Sequence, residues 1–196
     1  MRKPIFYRYF LASRPDLALL TKLVGLRIAA GQFRSLVAAE LLHLTWCVVA
    51  ETLERDRFIL PRVDAALRDR LLFSGSLWLG RVRGGAGGAA VYSRGRKPEI
   101  LSLYIEIAAC LIAREVPLLH RKAGLHPHLT LGHDPCAFEP FLLLHEWIPD
   151  ELLLIESEVG NGVHNVIGRW PLLPPRQGML LFAPLDPPAP LRATGG

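Results

Sequence analysis

Two short stretches of this 196-residue chain place a histidine and a threonine one residue apart: His43 and Thr45 in LLHLTWC, and His128 and Thr130 in HPHLTLG. Imidazole has an unperturbed pKa near 6.5, so it can take or give a proton at neutral pH. A threonine hydroxyl can donate a hydrogen bond to an oxyanion. Two such couples facing each other across a cleft could act on opposite sides of one phosphorus. One imidazole would take a proton from an attacking water or hydroxyl, and the other would give a proton to the leaving oxygen. The hydroxyls would hold the non-bridging oxygens between them. That chemistry needs no metal and no other cofactor. A lone His-x-Thr is more often structural than functional. One in each half of the chain, in like surroundings, reverses that weighting.

The elements around the motifs must aim these side chains. On a strand, residues two apart share a face. His43 and Thr45 then look one way while Leu42, Leu44 and Trp46 look the other, and His128 and Thr130 oppose Leu129 and Leu131. By the same alternation Cys47 falls on the face of Thr45. Aromatic and β-branched content predicts a strand over 5–12, and Pro15-Asp16 opens a helix with Ser13 or Asp16 at its cap. Further strands are expected at 41–50, 76–82, 89–92, 126–133, 141–148, 152–158 and 163–170, and helices at 61–72 and 98–116. Pro98 starts the last helix and Pro117 stops it. The glycine-rich RGGAGG at 83–88 is a turn that permits positive φ. It lacks the Gly-Lys-Ser/Thr ending of a phosphate loop.

This order suggests an α+β fold of two related halves, not a doubly wound parallel sheet. One bilobal domain is expected over 1–172, followed by a proline-rich, disordered tail over 173–196. Hydrophobic residues make up 51% and charged residues 21%, which excludes an intrinsically disordered chain. No apolar run approaches the roughly 18 residues that a membrane span requires, so no membrane partner is expected. Three widely spaced cysteines suit a reducing, cytoplasmic compartment. The net charge of +5 suits a polyanionic partner, though a basic surface that only aids solubility explains it as well.

The two motifs, the stretch YRYFLASRPD near the start and the strand LLLIESEVGNG followed by RWPL resemble the two-histidine phosphoesterase superfamily, in its 2'-5' RNA ligase-like, RNA 2',3'-cyclic phosphodiesterase branch. The resemblance implies two pseudo-twofold-related lobes of mostly antiparallel sheet, with helices outside and a central active-site groove, and it implies His43 and His128 as catalytic residues and Thr45 and Thr130 as substrate-binding ones. It implies hydrolysis of a 2',3'-cyclic phosphate on an RNA end or nucleotide to a 2'-phosphate, with possible reversible 2'-5' ligation. On this reading His43 is the acid and His128 the base, and the reverse assignment fits the sequence equally. The family often has arginine after HLTLG, where this chain has His133, and a basic residue in its first strand, matched by Arg8. Both are candidate phosphate contacts. A monomer is favoured.

Two other readings compete. A non-catalytic module could bind nucleotides or RNA ends, stacking bases on Tyr7, Tyr9 or Trp46 and following a backbone with Arg81, Arg83, Arg94, Arg96 and Lys97. A zinc-dependent hydrolase could use the cluster His126, His128, His133 and Cys136. That cluster leaves the first His-x-Thr unexplained. His145 and His164 lie in strand patterns without a partner motif and are read as structural, and His120 as a surface residue.

Overall fold

A computed structural model describes residues 6–30, 36–85, 88–119, 125–133 and 141–176. The chain runs β1 (Phe6–Ser13), α1 (Leu17–Ala30), a 3-10 turn (Ala39–Leu41), β2 (Leu44–Thr52), α2 (Ile59–Leu67), β3 (Leu77–Gly85), β4 (Gly88–Ser93), α3 (Pro98–Ile112), β5 (His128–Gly132), β6 (Phe141–Trp147), β7 (Glu151–Val159) and β8 (Val163–Pro171). The expected elements are all present, with ends shifted by a few residues. Asp16 caps α1 by accepting from the Leu19 N–H at 2.7 Å. In α3, Ile100, Leu103, Ile107 and Leu111 recur at helical spacing and are buried. The helix over 61–72 forms two residues earlier and ends at Leu67, because the Asp56 carboxylate accepts from the Phe58 N–H and fixes an earlier start.

Among the described residues eight strands join one sheet in the order β6-β3-β4-β5-β2-β1-β7-β8, and every neighbouring pair is antiparallel. Reading outward from the centre gives β2-β1-β7-β8 on one side and β5-β4-β3-β6 on the other. The two halves therefore have matching layouts, and each central strand opens at one His-x-Thr: β5 begins at His128, and β2 begins one residue after His43. The larger core lies on the helix side. There Leu19 and Leu23 of α1, Ile59 and Val63 of α2, and Ile107 of α3 pack against Tyr9, Leu11, Leu44, Val49, Leu129 and Leu131 of the sheet. A second, smaller cluster of Phe10, Ala12, Leu153 and Ile155 lines the opposite face, which no helix residue covers among the described residues.

One glycine is required by close approach. Gly88 has φ +105°, and a Cβ there would lie 2.0 Å from the Gly132 carbonyl oxygen, so β4 could not meet the end of β5 with any other residue. Beyond β8, Leu173 bonds back to Leu72 and Ser74. The remainder of the proline-rich segment, 177–196, lies outside the described residues. Among the described residues, no helix is long and apolar enough to cross a membrane.

Candidate active site

The two motifs meet at the middle of the sheet. Leu44 and Leu129 are direct antiparallel partners, and both are fully buried on the helix side. Continuing that register one residue each way sets His43 opposite Thr130 and Thr45 opposite His128. Alternation aims all four side chains at the uncovered face, where each is half-buried. Each histidine thus faces the threonine of the other motif. The two imidazoles are diagonal neighbours, which in antiparallel sheets lie about 7–8 Å apart at the backbone.

Each imidazole is held in the same way. His43 Nδ1 lies 2.6 Å from the Leu41 carbonyl oxygen, and His128 Nδ1 lies 2.7 Å from that of His126. A carbonyl oxygen only accepts, so Nδ1 carries the proton in both rings. The neutral ring then presents the Nε2 lone pair as its free function. An aromatic ring from the next strand outward flanks each: Phe10 of β1 at 4.9 Å and 30° from His43, and Tyr92 of β4 at 5.8 Å and 25° from His128.

The surroundings differ between the two. Burial pushes the His43 imidazole down from 6.5 to about 4; the Leu41 carbonyl opposes this, and the positive potentials of His164, Arg14 and His128 add to it. His164, in β8, is therefore not a remote structural residue. Its ring packs edge-on against His43 at 5.3 Å and against Phe10 at 5.6 Å. The sequence gives no sign of this, because β8 reaches the site only through its pairing with β7. Arg14, just past β1, was equally hidden, and its Nε is buried without a hydrogen-bond partner among the described residues.

Other expected positions fall as follows. His133 is exposed just beyond β5. Arg8 shares the uncovered face with Phe10, but its Nε donates to Glu51 at 2.6 Å and its guanidinium lies over Phe6. The alternation that put Cys47 beside Thr45 is interrupted. A register shift between Leu11 and Ala12 turns Cys47 into the core, where burial pushes its thiol up to about 12. A thiol so disposed is no nucleophile. Trp46 is core, donating to Ser13 Oγ, and so is Tyr9, whose hydroxyl donates to Glu156. Arg83 lies over the Tyr92 ring at 4.7 Å. His145 bonds Lys22. His120 and Cys136 lie outside the described residues, and no three metal-ligating side chains converge among the described ones.

No family model matches the sequence, and no curated protein matches it. Solved structures do match its fold. A protein solved as a phosphoesterase superposes with a TM-score of 0.66 at 20% identity, over 87% of this chain and 99% of its own. E. coli LigT without ligand gives 0.66 at 19% identity over 86% and 99%. A Thermus thermophilus protein gives 0.68 at 22% identity over 84% and 97%. The chain therefore shares the fold of these phosphoesterase and LigT structures, in keeping with the fold that the sequence resemblance implied.

Proposed function

We propose that this protein is a phosphoesterase that hydrolyses 2',3'-cyclic phosphodiesters on RNA ends or nucleotides to 2'-phosphates without a metal. The observation that carries this reading is the antiparallel crossing of the two motifs at Leu44 and Leu129, with each imidazole pinned through Nδ1. Four functional groups then surround one space: two Nε2 atoms for proton transfer and two hydroxyls for the non-bridging oxygens. E. coli LigT has been solved with ATP, with 3'-AMP and with phosphate, which supports a nucleotide phosphate as the occupant of such a groove.

In the forward reaction one imidazole takes a proton from water, whose oxygen attacks phosphorus. The P–O3' bond breaks, and the second imidazole gives its proton to O3'. The products are a 2'-phosphomonoester and a 3'-hydroxyl, and atoms and charge balance. With a ribose 5'-hydroxyl on a second strand and a cyclic phosphate on the first, the same two groups would support 2'-5' joining.

Burial favours His43 as the base, since a ring held near 4 is neutral at pH 7 and ready to accept a proton. His128 is then the acid. This inverts the role split that the family resemblance implied. The test is incubation of an oligonucleotide bearing a 2',3'-cyclic phosphate, with and without EDTA. The expected result is chelator-insensitive opening to a 2'-phosphate. A 3'-phosphate product, or loss of activity in EDTA restored by zinc, would refute the proposal.

A further inference from the structure

Two rows of cross-strand partners lead from the second motif to the outer strands of its lobe. His128 is the direct partner of Tyr92, and Tyr92 of Arg81. Thr130 is the direct partner of Ala90, and Ala90 of Arg83. Partners in register share a face, so Arg81 and Arg83 stand on the uncovered side with the two motif residues. An irregularity between Leu79 and Arg81 sets this phase: Leu79 is buried on the helix side, whereas Arg81 and Arg83 are exposed. Adjacent strands lie about 4.8 Å apart, so β3 runs about 10 Å from β5. A third arginine joins them. Arg94 donates its backbone N–H to the Trp78 carbonyl, and its stem crosses Gly80. A Cβ on Gly80 would come within 2.7 Å of the Arg94 Cβ and 3.1 Å of its Cδ, so a side chain there would displace Arg94. Trp78 beside it is 48% exposed.

These charges differ from those of the first lobe. There Arg8 pairs with Glu51, Arg55 with Glu156 and Glu158, and Arg169 with Glu151. Among the described residues, no carboxylate lies within ion-pair distance of Arg81, Arg83 or Arg94. The acid on β6, Glu146, sits opposite Trp78 and accepts from Ser76 Oγ. Arg83 instead rests over the Tyr92 ring at 4.7 Å, and that ring stacks on His128 at 5.8 Å. Guanidiniums without an acid, set beside an exposed indole, suit the backbone and bases of a single nucleic-acid strand.

We infer that the uncovered face of β4 and β3 is the track along which a single-stranded RNA reaches the groove, its phosphates taken by Arg81, Arg83 and Arg94 and a base by Trp78. This rests on the reading proposed above and narrows it. The preferred substrate is the cyclic-phosphate end of an oligonucleotide of about four residues or more, the low end of site sizes for single-strand grooves, over a cyclic mononucleotide. The strand crosses the second lobe, because the arginines of the first are already neutralised.

The experiment has a kinetic arm and a binding arm. The first compares kcat/KM for a tetranucleotide ending in a 2',3'-cyclic phosphate with that for adenosine 2',3'-cyclic phosphate. The tetranucleotide should be favoured about tenfold or more, the effect of one stacked base. The triple variant Arg81→Ala, Arg83→Ala, Arg94→Ala should bring the ratio toward one, with circular dichroism to check that it is folded. Arg169→Ala, which removes a charge from the first lobe, should keep the ratio. The second arm follows a labelled tetranucleotide ending in a 2'-phosphate by fluorescence anisotropy across salt concentrations, and needs no turnover. The triple variant should flatten the slope of log K against log salt by about 2, since each single-strand phosphate contact contributes about 0.7. Trp78→Ala should weaken binding and leave the slope unchanged. A flattened slope supports the track even if neither substrate is hydrolysed; the hydrolytic reading would then fall alone. Equal kcat/KM for the two substrates, a preference that the triple variant retains or that Arg169→Ala also loses, or displacement of the RNA by a glutamate peptide of equal charge overturns the track and leaves the hydrolytic reading standing.

Discussion

The two lobes present the same residues in unlike settings. In the first, His43 packs at a tilt against Phe10, touches His164 edge-on and sits in an environment that keeps it neutral at pH 7. In the second, His128 stacks against Tyr92, whose other neighbour is the exposed-strand residue Arg83. The backbone carries the symmetry: equivalent strands, equivalent carbonyl anchors, equivalent aromatic positions. The flanking side chains break it. A symmetric pair of imidazoles cannot distinguish acid from base, and two-sided proton transfer needs one ring empty and the other loaded. On the proposed function, the desolvation of His43 is what would assign it the base role.

Removing either ring tests this most severely. His43→Ala and His128→Ala should each lower kcat by 10²-fold or more, the usual contribution of a positioned acid or base. Circular dichroism and melting should show both variants folded. Near-normal turnover in either would break the comparison. Next in size, Thr45→Val and Thr130→Val should each cost about tenfold to a hundredfold, by analogy with the loss of one oxyanion donor. Unequal losses would show which lobe bears more of the developing charge.

The pH profile sharpens the assignment. If His43 is the base, the acidic limb of kcat/KM lies well below 6.5, because activity is lost only as pH falls through a folded-state value of about 4. An acidic limb at 6.5 or above would transfer the base role to His128. The same shift predicts acid sensitivity of the fold. The His43 pKa is lower folded than unfolded, so its contribution is fully present above about 6.5 and is lost as pH falls toward 4. Denaturant titrations should show up to about 3 kcal/mol of this loss disappearing in His43→Gln. The smallest effect expected is that of Tyr92→Phe. It keeps the ring against His128 and should change turnover less than threefold, and a larger change would give the hydroxyl a part in catalysis.

Much of this was legible in the sequence, because strands and helices here announce themselves locally. Proline and aspartate mark the helix starts, and apolar spacing separates the helices from the strands. The two His-x-Thr motifs were legible for the same reason, since alternation alone sets both residues on one face. What could not be read depends on register and on distant pairing. Cys47 defied simple alternation because one irregular pairing opposite Leu11 and Ala12 shifts the phase of β2. His164 joins His43 only because β8 adds to β7, which adds to β1. Arg8 carries the right charge at an apt position, yet Glu51, its direct cross-strand partner, already engages it.

Among the described residues Leu44 and Leu129 make the sole ladder pairing between β2 and β5, so the join between these strands and the candidate site coincide. Any slip or hinge at that join alters the spacing of the two imidazoles by a like amount, with no lever arm in between. These two apolar residues therefore act as the stop on a caliper. Shaving either of them should spoil the grip on phosphorus while every polar group of the site is still in place.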